Sequence, residues 1–162
     1  MLIAISAIMS TANAQTGQGR VFVINETSCD VYIDVYAICP DCSVYGSNFM
    51  HLISPNPWYP GTQIYDPSLP SPNPYWSTAV DPASNCEDNW QWSFAVIDFI
   101  CGDGSISQIT VGNPSDPCAT YNNKSPLLVH NDCLESCFGG DRIWVRWTSG
   151  PGPGDIIITI GN

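Results

Sequence analysis

Short runs of apolar residues, many of them alternating with polar ones, recur along the chain, and they seldom repeat at the three-and-four spacing of a helix. The runs are rich in Val, Ile, Tyr, Trp and Phe and are bounded by Gly, Pro, Asn and Asp. They predict strands at 20–26, 30–38, 43–53, 90–101, 105–112, 126–130, 141–148 and 155–160. Such a series implies an all-β fold, an antiparallel β-sandwich of about seven or eight strands, Ig-like or jelly-roll-like in type. Alternation sorts two strands in detail. In "DRIWVRWT", Ile143, Val145 and Trp147 share a core face, while Arg142, Trp144, Arg146 and Thr148 point the other way. In "WQWSFAVIDFIC", strict alternation sets Trp90, Trp92, Phe94, Val96, Asp98 and Ile100 on one face and Gln91, Ser93, Ala95, Ile97, Phe99 and Cys101 on the other. The run turns apolar on both sides, as expected of a covered central strand. Trp90 and Trp92 therefore belong to the core, and Asp98 faces inward, where a carboxylate needs a partner: Arg142, Arg146 or a cation.

Three connections stand out. "CGDGS" at 101–105 reads as a tight hairpin turn, and "GPGPGD" at 150–155 links the last two strands. The third, 54–83, holds eight of the fourteen prolines. Proline removes the donor that a sheet ladder needs, so this stretch reads as irregular chain that wraps the domain and covers an edge or a face.

The length, 162 residues, suits one domain. Residues 1–14, "MLIAISAIMSTANA", have the apolar run and small-residue end of a secretory leader, which leaves 15–162 as the mature β-domain. No run approaches the roughly 20 apolar residues of a membrane-spanning helix. The net charge of −11 disfavours nucleic acid and anionic membranes as partners. Eight cysteines, Cys29, Cys39, Cys42, Cys86, Cys101, Cys118, Cys133 and Cys137, follow the leader. An even count in an exported chain predicts disulfides and a secreted or cell-surface location, with the pairing open.

Candidate chemistry is sparse. Cys39-Pro40-Asp41-Cys42 has redox spacing but follows a strand in a helix-poor chain. A four-thiolate zinc site from Cys39, Cys42, Cys133 and Cys137 competes with disulfides and loses in an oxidising compartment. His51 and His130 lack metal-ligand spacing, no nucleophile elbow occurs, and no pair of carboxylates is singled out, so the chain is read as not an enzyme. Loop oxygens offer calcium as a candidate cofactor, with Asp98, Asp116, Asp132 and Asp141 as candidate ligands. Trp58 and Trp76 in the proline-rich loop, with Trp144 between two arginines, are candidate ligand-binding residues for glycans. Asn25-Glu26-Thr27 and Asn123-Lys124-Ser125 match the glycosylation pattern, though in bacterial export such matches are mostly accidental.

The leader end "ANAQ" and the stretch "VFVINETSCDVYIDVYAICPDC", 21–42, resemble the opening of small secreted cysteine-containing β-domain proteins of Bacteroidetes-type bacteria. The resemblance implies an exported bacterial β-domain and carries no functional residue with it. The expectation is an extracellular structural or adhesive surface protein, with self-association through edge strands and assembly into a fibre through the β-forming ends "GRVFVINE" and "DIIITIGN". A carbohydrate-binding module is the second expectation and a small secreted hydrolase the third.

Overall fold

Alternating Val, Ile and aromatic residues become strands, and the turn residues between them become tight connections, in a computed structural model that describes residues 19–46, 50–66, 86, 90–101, 103–118, 124–130 and 142–161. The described strands are β1 (Val21–Asn25), β2 (Val31–Ile38), β3 (Val44–Gly46), β4 (His51–Ile53), β5 (Thr62–Tyr65), β6 (Gln91–Ile100), β7 (Ile106–Gly112), β8 (Leu127–His130), β9 (Arg142–Ser149) and β10 (Ile156–Gly161). The fold is all-β in two sheets. The first has the order β5-β1-β10-β9-β8; the second runs β3-β2-β6-β7, with β4 also paired to β2. Among these pairs only β1 with β10 is parallel.

The expected strand at 43–53 resolves into β3 and β4, which pair with successive stretches of β2. The proline-rich stretch contributes a strand that the composition concealed: β5 pairs with β1 and covers its outer edge. The terminal strands lie inside the first sheet. β1 lies between β5 and β10, and β10 between β1 and β9. Their ladders are filled on both sides within the chain. The edges among the described residues are β5, β8 and β7, with β3 and β4 beside β2.

One core joins the sheets. Val23, Val145 and Ile158 from the first meet Ile33, Ile97 and Val111 from the second, all completely buried. Each such side chain stabilises the fold by about 1.5–3 kcal/mol relative to exposure. Trp90 and Trp92 are buried in that core, as their pattern predicts. Tyr65 of β5 packs edge-on against both, at 6.0 and 4.9 Å between ring centroids. The Trp92 indole N–H donates to the Gly19 carbonyl at 3.1 Å.

Strict alternation fails at one residue. Tyr36 pairs with Phe94 but its neighbour Ala37 pairs with Trp92, so Ser93 is an extra residue in β6, a β-bulge. Beyond it the faces exchange. Ala95, Ile97 and Phe99 point into the core, and Phe94, Val96, Asp98 and Ile100 point away. Asp98 is therefore an outward residue instead of an inward one, and the Gln108 amide donates to it at 2.8 Å.

Cys39 bonds Cys86 and Cys42 bonds Cys118, across 47 and 76 residues. The two cysteines of the redox-spaced motif thus hold distant parts of the chain. Cys29 and Cys101 are also disulfide-bonded. Cys133 and Cys137 lie outside the described residues, as do residues 1–14.

Candidate binding surfaces

The most exposed aromatic side chains sit on a turn whose backbone is fixed from below. Asn25, at the end of β1, is completely buried. Its amide nitrogen donates to the carbonyls of Cys29 (2.8 Å) and Ile53 (3.0 Å), and its carbonyl accepts from Thr27 N–H (3.1 Å) and the Thr27 hydroxyl (2.5 Å). The backbones of Asn25 and Asn56 donate to each other, at 3.2 and 2.8 Å. The Asn56 side-chain oxygen accepts from Trp58 N–H at 3.2 Å, an Asx turn. Gly61 closes the turn with φ +95°, and a β-carbon there would lie 2.4 Å from the Val23 carbonyl oxygen. On this platform Trp58 is 78% and Tyr59 66% exposed. Two large aromatics held in water on an ordered turn forgo the burial that usually stabilises them. Trp58 was legible as a candidate; Tyr59 was missed, though a neighbouring aromatic between prolines was its signal. The same bonds assign Asn25 a structural role, so the glycosylation pattern at 25–27 is a buried anchor in the folded chain. Trp76 and Asn123 lie outside the described residues.

Trp144 is outward on β9, as alternation predicts, but is partly covered. It pairs with Gly161 of β10, and a β-carbon on Gly161 would lie 2.5 Å from the indole ring, so the ring rests on that glycine. The Arg146 guanidinium stands 5.2 Å from the ring centroid, a cation–π contact. Leu128 of β8, opposite Trp144, is 62% exposed. Arg142 and Arg146 are exposed on the same face.

The outward face of the second sheet has a different composition. Tyr36 and Phe94 stack in parallel across β2 and β6, with centroids 4.4 Å apart, and lie in one row with Gly46 and Gly112. Asp34 is buried beside them. Burial, then the Asp34 charge, a hydrogen bond to Asp34 and the Asp98 charge push the Tyr36 phenol up to about 12. His51 is pulled below its ordinary value by burial, against the opposing charge of Asp34.

Of the candidate calcium ligands, the two described, Asp98 and Asp116, have different partners. Asp98 bonds Gln108 on the second sheet. Asp116 is buried in the turn after β7, accepting from the Ser93 hydroxyl at 2.5 Å and from Cys118 N–H at 2.8 Å. It thereby ties that turn to the bulge. Asp132 and Asp141 lie outside the described residues. No group of three or more His, Cys, Asp or Glu side chains suited to a metal ion occurs among the described residues.

Sequence reasoning also missed the ion pair between Arg20, before β1, and Asp155, before β10. Asp155 is buried and accepts from the Arg20 backbone (2.8 Å), the Arg20 guanidinium (2.7 Å) and Gly152 N–H (2.9 Å). Burial alone would raise its pKa; these bonds and the Arg20 charge outweigh that and hold it below the ordinary carboxylate value of 3.8. Its contribution to stability is present above that value and is lost as pH falls through the lowered one.

No protein-family model, curated protein or solved structure matches the chain.

Proposed function

We propose that the protein is an extracellular, non-enzymatic β-sandwich with an adhesive role, contacting glycans through the Trp58–Tyr59 turn. The observation that carries this reading is the pair of exposed aromatics on a turn anchored by buried Asn25. A flat ring exposed on a turn of fixed backbone is suited to the apolar face of a sugar ring, because the backbone need not be ordered on contact. The disulfides fit an oxidising compartment. No helix among the described residues is long and apolar enough to cross a membrane.

Glycan-array binding of the full chain, with and without Trp58→Ala/Tyr59→Ala, tests this. The expected result is retention of a glycan class by the native chain and its loss in the variant, with the melting temperature unchanged. Equal binding by both chains, or no binding by the native one, rejects the reading.

A further inference from the structure

The outward face of the second sheet gathers apolar surface. Among the described residues seven large apolar side chains are more than a third exposed, and four of them, Val44, Leu52, Ile100 and Ile106, project from this face. Register places them there. Leu52 is opposite Tyr32 and Ile100 opposite Ile106, together at the end of the face that carries Asp98, whereas Val44, opposite buried Ile38, lies at the other end of β2. Clustering of exposed apolar groups on one sheet face marks an interaction surface. Among the described residues the carboxylate exposed at that end is Asp98, with Asp34 buried behind it.

The basic residues lie elsewhere. The sequence has four: Arg20, Lys124, Arg142 and Arg146. Arg20 stacks over Phe22 of the first sheet and pairs with Asp155. Lys124 bridges beside Gly112 at the β7 edge. Arg142 and Arg146 flank Trp144 on the outward side of the first sheet, next to exposed Leu128. Among the described residues one side of the molecule thus offers apolar groups with Asp98, the other apolar groups with two arginines and the Glu26 carboxylate beside Gly161.

We infer that copies of this chain associate head to tail, the Arg142–Trp144–Arg146 strip of one docking on the Tyr32–Asp98 face of the next. The occupant follows from charge. With a net charge of −11, indiscriminate contact between copies is repulsive. Pairing two second-sheet faces would oppose their carboxylates, and pairing two strips would oppose their arginines. Opposite faces alone bring unlike charges together while covering apolar surface on both sides. Such a contact is heterologous, so it propagates into a ring or filament instead of stopping at a dimer. It needs no donated strand, which fits the interior positions of β1 and β10. It goes beyond the adhesive reading and uses surfaces apart from the Trp58 turn.

Sedimentation of the full chain at low ionic strength over a wide concentration range tests this, with two charge-reversed variants. Arg142→Glu/Arg146→Glu alters the strip, and Asp98→Arg/Gln108→Arg alters the face. The native chain is expected to form concentration-dependent oligomers that dissociate as salt is added. Each variant alone is expected to associate about a hundredfold more weakly, and an equimolar mixture of the two to recover assembly. Trp58→Ala/Tyr59→Ala is expected to assemble like the native chain, which separates this inference from the glycan reading. A native chain that stays monomeric throughout overturns it. So do variants that each assemble like the native chain, or a mixture that stays monomeric.

Discussion

Trp58 and Trp144 both lie outside the core, and their surroundings are opposite. Trp58 is 78% exposed on a turn held by a buried asparagine. Trp144 rests on Gly161 and lies beneath the Arg146 guanidinium. In the first case the structure fixes the backbone and leaves the ring in water; in the second it builds a niche for the ring itself. A tryptophan placed outside a core is thus informative about binding when its ring lacks packing partners while its backbone is ordered. By that criterion Trp58 is the ligand candidate, and Trp144 belongs to a packed surface strip that contributes to a larger contact area.

The largest effect that separates the two sites comes from removing the anchor beneath Trp58. Asn25→Ala removes the side-chain partner of the Ile53 carbonyl and of the Thr27 N–H in a buried position, while the Thr27 hydroxyl keeps its bond to the Cys29 carbonyl. The expected loss is about 3 kcal/mol in denaturant unfolding, with glycan binding falling together with stability. A smaller loss with binding intact would mean that the turn orders itself without Asn25. The Trp144 niche is tested by Gly161→Ala. The added methyl meets the indole at 2.5 Å, so the ring must move. The expected cost is about 1–3 kcal/mol, with glycan binding unchanged. If binding falls instead, Trp144 takes part in ligand contact and the contrast between the two sites is broken.

The parts legible in the sequence were those set by local rules. The β9 alternation assigned Ile143, Val145 and Trp147 to the core and Trp144 to the outside, because nothing interrupts the period of two. The turns 101–105 and 150–155 followed from glycine, and φ is positive at Gly104 and Gly154. What was missed depended on partners distant in the chain. The Ser93 bulge reversed the faces of β6 after Trp92, which moved Asp98 from an expected inward position to an outward one. A bulge is set by pairing with β2 and by the Asp116 carboxylate that receives the Ser93 hydroxyl, and neither is visible in a single strand's pattern. Asn25 resembled a glycosylation acceptor because the pattern reports residue types and not burial. Strand β5 was hidden by the prolines around it, although none of its own four residues is proline. Arg20 and Asp155 are 135 residues apart, and only the parallel pairing of β1 with β10 brings them together.

The smallest effect probes whether the arginine or the glycine does more to hold Trp144. Arg146→Gln removes the cation over the indole and leaves Gly161 beneath it. An exposed cation–π contact is worth about 0.5–1 kcal/mol, so thermal unfolding should shift by a few degrees or less. The loss should be the same at low and moderate salt if the contact is local packing of a planar guanidinium on the ring. A loss that vanishes with added salt would show that Arg146 acts through longer-range charge, and its main role would then lie in what the strip attracts rather than in holding Trp144. The two outcomes bear differently on the head-to-tail contact. A guanidinium committed to its own indole presents a fixed, planar, positively charged surface to a partner, whereas one held by diffuse charge is mobile and must be ordered on docking at an entropic cost. A salt-independent loss therefore predicts that Arg146 is already placed for docking before a second copy arrives.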